Sequence, residues 1–202
     1  MNILRETSTP EYWNSIYEAS KPDEPYITDF ERRMFQAYVK TKPGMTALDA
    51  GCGRGEFTAY LGALGLEVLG LDFAASALVE AQRNTKRQDN VTFDLHDFSA
   101  DSIHRGLQPE SLDVIVCRLS IAYLDRHRFL VDARRWLKPS GLLHITTHII
   151  DRSPPALRHR GLTAEELHDL EAGWGRSTGY HLVGDGSLTC LVLREPYPSE
   201  TL

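Results

Sequence analysis

The chain has 202 residues, of which 42% are hydrophobic and 25% charged, and its formal net charge is −6. This balance suits one folded domain with a full core and excludes a basic nucleic-acid footprint spread over the whole domain. The three cysteines, Cys52, Cys117 and Cys190, are far apart and lack metal-ligand spacing, which fits reduced thiols in a cytoplasmic protein.

In chain order, Met1 to Glu6 lacks the apolar core of a signal peptide, and no segment approaches the ~20 apolar residues needed to span a bilayer. Thr9-Pro10 reads as a helix start, followed by Tyr12, Trp13, Ile16 and Tyr17 at helical spacing. Lys21 to Pro25 breaks that helix. Thr28-Asp29-Phe30-Glu31 reads as a capping box, with Phe30, Met34, Ala37 and Tyr38 as the apolar stripe of a second helix. Lys42-Pro43-Gly44 is a turn.

Strands and helices then alternate. The pattern predicts strands near Thr46 to Ala50, Val68 to Leu71, Val91 to Leu95, Leu112 to Cys117 and Leu142 to His148. Helices are predicted over Glu56 to Leu64, Ser76 to Arg87 and the stretch capped by Asp125, with a short one near Ser102 to Gly106. Pro139-Ser140-Gly141 reads as the turn into the fifth strand. After a polar, basic loop over Asp151 to Gly161, Thr163 to Glu166 is a capping box opening a helix to about Gly173. Two strand-like runs, Tyr180 to Val183 and Leu188 to Leu193, flank the hairpin turn Asp185-Gly186. The expected class is α/β: a Rossmann-like doubly wound sheet, mainly parallel, with a C-terminal antiparallel hairpin strand. It divides a single domain, 1–202, into a helical part (1–42), a core (43–150) and a closing segment (151–202).

Strand one runs into Asp49, and Gly51, Gly53 and Gly55 follow at alternate positions. A dinucleotide fingerprint, Gly-x-Gly-x-x-Gly, needs glycine at 56, where this chain has Glu56. An acid just before the first glycine suits a cationic ligand better than a pyrophosphate. The run Ala47 to Gly55 resembles motif I of the class I S-adenosylmethionine-dependent methyltransferases, small-molecule type, and the resemblance extends over about Ala47 to Ile150.

The resemblance implies S-adenosyl-L-methionine as cofactor, with S-adenosyl-L-homocysteine as product. It lays the methionyl part of the cofactor on Gly51, Cys52, Gly53 and Gly55, with Asp49 near its ammonium. It gives the ribose hydroxyls to Asp72 and places Phe73 against adenine. Asp97 would take the adenine amino group and the Phe98 amide a ring nitrogen, with Asp94 the competitor if strand three ends early. Cys117 and Arg118 would line the methionine and methyl side. Asp72 alternatively caps the next helix, and Asp97 alternatively is a surface loop acid. The Asn/Asp-Pro-Pro-aromatic tetrad of base-directed enzymes is absent after strand four, which speaks against a nucleic-acid acceptor; no membrane partner is expected either. Trp13 and Tyr17 resemble the Tyr-Trp segment that folds over the cofactor as a lid in many such enzymes, where aromatic faces suit a sulfonium; packing onto the sheet edge is the other reading.

A methyl acceptor such as a hydroxyl or ammonium needs a base. His148, ending strand five, and Tyr123 are the candidates, each with a structural role as its alternative. His144 is deeper and reads as structural. Arg152, Arg158, His159 and Arg160 could hold an anionic acceptor, and the shortness of the insertion favours a small one. A non-catalytic cofactor-binding protein, a protein or peptide methyltransferase, and an NAD-dependent dehydrogenase are the competing readings, the last disfavoured by glycine spacing.

Overall fold

A computed structural model describes residues 9–19, 27–155 and 160–197. Two helices come first, α1 (Pro10–Ala19) and α2 (Asp29–Val39). There follow β1 (Thr46–Ala50), α3 (Glu56–Ala63), β2 (Glu67–Asp72), α4 (Ala75–Thr85), β3 (Val91–Leu95), β4 (Leu112–Arg118) and α5 (Arg126–Trp136). The chain ends with β5 (Leu137–Ile149), β6 (Gly161–Leu162), α6 (Ala164–Asp169), β7 (Trp174–His181) and β8 (Leu188–Pro196). The sheet order is β3-β2-β1-β4-β5-β8-β7, with β6 pairing β5. β1 to β5 pair in parallel, and β8 runs antiparallel between β5 and β7. This is the expected mainly parallel doubly wound sheet with its antiparallel hairpin. Strand order reverses between β1 and β4, so their carboxyl ends flank the crevice where such sheets bind ligands.

The central strands are near-continuous apolar runs because both faces are covered. One face packs Leu48, Ile115, Phe129 and Trp136. The other packs Phe35, Leu61, Val116 and Val192. Among the described residues, no helix is long and apolar enough to cross a membrane.

Several local expectations change. Ser102 to Gly106 forms irregular chain and a turn, not a helix: His104 Nδ1 accepts from the Gly106 amide, and such local side-chain bonds compete with helix formation. β5 begins at Leu137, so Pro139-Ser140-Gly141 lies within the strand as an irregularity against β4. α6 stops at Asp169; Gly173, at φ +87°, leads into β7, which is longer than predicted because it pairs along β8 as far as Pro196. The buried face of α2 is Glu31, Phe35 and Val39, while Phe30 is exposed. Thr28 does accept from the Glu31 amide, but the Glu31 carboxylate goes elsewhere, as described below. Met1 to Glu6, Lys21 to Pro25, Arg158 and His159 lie outside the described residues.

Candidate cofactor site and active site

A cavity of about 550 Å³ lies at the carboxyl ends of β1, β2, β4 and β5, with Trp13, Ile16 and Tyr17 of α1 along its wall. Three glycines follow β1, each required for a different reason. Gly51, Gly53 and Gly55 all have positive φ, which an L side chain rarely adopts. A Cβ at Gly51 would collide with Ser120 after β4, and one at Gly53 would lie 2.8 Å from Tyr17 Oη. At Gly55 it would lie 2.8 Å from Phe93 Cζ. Gly51 and Gly53 line the cavity, whereas Gly55, outside the lining, allows α3 and α4 to close onto β3.

Asp49 is 1% exposed, and Thr58 Oγ1 donates to its Oδ2 at 2.7 Å. Burial raises its carboxyl to about 7, against the opposing effects of the Thr58 hydrogen bond and Arg118. Asp72 Oδ2 accepts from the Gly53 amide at 2.9 Å and Oδ1 from the Ala74 amide at 2.8 Å. Burial raises Asp72, and those amides oppose the shift. Each carboxylate oxygen has a second lone pair for a ligand hydroxyl. Cys52 lines the cavity, and burial pushes its thiol well above the ordinary range, leaving it without thiolate character.

Phe73, His96 and Phe98 also line the cavity; Asp97 does not. Asp97 Oδ1 accepts from the Ser99 and Ala100 amides at 2.8 and 3.3 Å. The exit from β3 keeps the two-residue alternation of a strand, so His96 and Phe98 face inward and Asp97 outward. His96 was not singled out from sequence; the parity of this exit is its only signal, because no motif marks it. Asp94 pairs with His104 at 2.9 Å on the exposed side.

After β4, Cys117 is fully buried outside the lining, with Sγ 3.1 Å from Ser120 Oγ. Burial pushes its thiol up to about 12. Arg118 lines the cavity and forks onto Glu31 of α2, with Nε donating to Oε1 at 2.7 Å and Nη2 to Oε2 at 3.1 Å. Leu119 follows at φ +58°, and its amide donates to Thr146 O. A leucine in the left-handed region is strained, as residues at ligand sites often are. Tyr123 lines the cavity, with Trp13 edge-on to its ring at 5.1 Å.

His148 lines the cavity too. Burial, with Arg160 and Arg118 nearby, lowers its imidazole below the ordinary value. Arg160 reaches the lining because β6 pairs Gly161 opposite His148. Any Cβ at Gly161 would collide with the His148 backbone. Arg152 is exposed and outside the lining. His144, held at 2.8 Å from Tyr180 Oη, is buried and pushed down to about 3, a structural neutral histidine. Arg54, Glu56 and Phe57 are further lining residues that sequence reasoning missed. The donor set fits the implied cofactor: a glycine cradle that side chains would fill, an acid beside it and a second acid at the next strand end.

Residues 48–145 match the family model described as "Methyltransferase domain". The chain is 30% identical over 105 residues to the ubiquinone biosynthesis O-methyltransferase of Paraburkholderia xenovorans, covering 52% of this chain and 44% of that protein. It is 30% identical over 142 residues to the malonyl-[acyl-carrier protein] O-methyltransferase of Enterobacter lignolyticus, covering 68% of this chain and 53% of that protein. The chain thus spans about half the length of the curated relatives it matches. A solved SAM-dependent methyltransferase of Aquifex aeolicus superposes with a TM-score of 0.66 at 20% identity, covering 92% of this chain and 96% of that one. The chain carries a methyltransferase domain of the class I S-adenosylmethionine-dependent type.

Proposed function

We propose that the protein transfers a methyl group from S-adenosyl-L-methionine to a small-molecule acceptor. The observation that carries this reading is the cavity at the carboxyl ends of the parallel strands. Its roughly 550 Å³ falls within the ~300–1,000 Å³ of small-molecule sites, and α1 covers it where a macromolecular acceptor would need an open face. Its charges are spread among elements, with the carboxylates Asp49 and Asp72 on β1 and β2, Arg54 in the glycine loop, Arg118 ending β4, and Arg160, just before β6, near His148 of β5.

The cofactor supplies an activated methyl on a sulfonium. The chain binds, orients and excludes water. Asp49 balances the methionyl ammonium, and Asp72 accepts from the ribose hydroxyls. Phe73, His96 and Phe98 enclose the adenine, with His96 taking the inward position that the resemblance gives to Asp97. Trp13 and Tyr17 close the site from above. His148, kept neutral by burial and neighbouring arginines, removes the acceptor proton, and Tyr123 orients the acceptor. Arg160 favours an acceptor carrying negative charge. Three buried free thiols fit a reducing, cytoplasmic setting.

The test is thermal unfolding with S-adenosylhomocysteine and with NAD, followed by a methylation assay on a panel of small hydroxyl, amine and thiol acceptors. Stabilisation by S-adenosylhomocysteine alone is expected, together with its clear weakening in Asp72→Ala. Stabilisation by NAD instead, or unchanged affinity in a folded Asp72→Ala, would refute the assignment.

A further inference from the structure

Helix α4 begins immediately after the proposed ribose acid, and its own sequence does not cap it. Its N-cap position is Ala74, which has no side-chain acceptor. Asp72 is occupied with the Ala74 amide. The missing acceptor arrives from α1. Asn14 Oδ1 accepts from the Ser76 amide at 3.0 Å and from Ser76 Oγ at 2.7 Å. Ser76 is the second residue of α4, and the amide at that position is one that an N-cap side chain ordinarily satisfies. Asn14 thus acts as the N-cap of a helix 62 residues further along the chain.

The other end of α1 is fastened by the glycine loop. Arg54 Nη2 donates to Tyr17 O at 2.7 Å, in the last turn of α1, where helix carbonyls commonly take donors from outside the helix. The guanidinium lies 5.1 Å from the Tyr17 ring centroid, and its Nε is 2.5 Å from Glu80 Oε2 on α4. A cation at this end also complements the helix dipole. Between the two fastenings, the Tyr17 hydroxyl rests on Gly53, where a Cβ would leave only 2.8 Å.

We propose that Asn14 and Arg54 are positioning residues that latch α1 over the cavity, so that opening the site for cofactor exchange uncaps α4. Asn14 is the release point. It is not itself one of the cavity-lining residues, and it joins the lid to the helix that follows Asp72. Closure therefore restores the cap at the moment it covers the site, and lid position and ribose-site geometry change together. The proposal rests on the cofactor reading above for its consequence, but the latch itself is testable without ligand.

Two measurements decide it on the full chain. Hydrogen exchange in the absence of ligand should show faster exchange of the α1 amides and of the Ser76 amide in Asn14→Ala than in the parent, with protection returning in Asn14→Asp, an equally good capping residue. Dissociation of S-adenosylhomocysteine, followed by stopped flow, should be about fivefold faster in Asn14→Ala, the size expected for loss of one N-cap, and within about twofold of the parent in Asn14→Asp. Unchanged α1 exchange in Asn14→Ala, or equal acceleration in both variants, overturns the latch. Absence of S-adenosylhomocysteine binding in the parent would sink the cofactor reading, and the exchange measurement would still decide the latch.

Discussion

Asp49 is buried enough that proton affinity and ligand affinity compete for the same oxygens. Its folded value, raised to about 7, stands above its ordinary 3.8. The folded ligand-free chain therefore holds a proton there that the unfolded chain has lost, between about pH 4 and 7. The contribution of Asp49 to ligand-free stability falls as pH rises through that window. A cationic ligand group reverses the preference by favouring the ionised form. S-adenosylhomocysteine affinity, measured by calorimetry from pH 8 down to pH 6, is expected to weaken by about tenfold at the acid end. Asn at position 49 should bind weakly throughout and lose that pH dependence. His148 has the opposite chemistry. A histidine held below its ordinary value is neutral at pH 7 and protonates only in acid, so at saturating cofactor kcat/KM for the acceptor should stay flat at neutral pH and fall only in acid, below the ordinary imidazole range. Ala at position 148 should lower kcat by about 10²-fold or more, the usual weight of a general base, and erase that acid limb. Wild-type turnover in His148→Ala on the true acceptor would remove it as the base.

Among the elements, α2 shows how a polar pair can join a helix to a strand end. Glu31 is 4% exposed and lies on the buried face of α2, where a stripe of apolar residues is expected. Its partner Arg118 closes β4 and lies in the cavity wall, with the guanidinium 5.9 Å from the Phe57 ring. Removing one member of a buried pair leaves an uncompensated charge, which costs about 3–5 kcal/mol. Glu31→Ala should therefore lower the unfolding free energy measured in urea by an amount of that order and shift the midpoint down, with the double variant Glu31→Leu/Arg118→Met regaining part of it. Equal midpoints for Glu31→Ala and the parent would show that the pair does not hold α2 in place. The same element-level logic explains Leu119: it turns the chain out of β4 in a strained conformation, and the Thr146 carbonyl of β5 holds its amide there.

At the scale of the whole molecule, the site is a meeting of distant segments, so ligand binding and folding are linked. A ligand that binds only the folded chain stabilises it by about 2.7 kcal/mol at a concentration one hundred times its dissociation constant. The melting temperature should accordingly rise with S-adenosylhomocysteine concentration and keep rising past saturation. The alternation of strand and helix, Asp49, the glycines, Asp72 and the closing hairpin were legible before any coordinates, because each is a local pattern: a period, a spacing or a turn dipeptide. The glycine spacing also separated this chain from a dinucleotide binder. Other features depended on packing between residues far apart. Side-chain parity at the exit from β3 put His96 and Phe98 in the cavity and turned Asp97 outward. The pairing of β6 with β5 brought Arg160 to His148. Glu31 met Arg118 across 87 positions, and Asn14 capped α4 across 62. Local chemistry dictates which way a backbone turns and which ligand a strand end can hold. Which side chains share a cavity follows from register and helix docking, and those are settled only when the whole sheet closes.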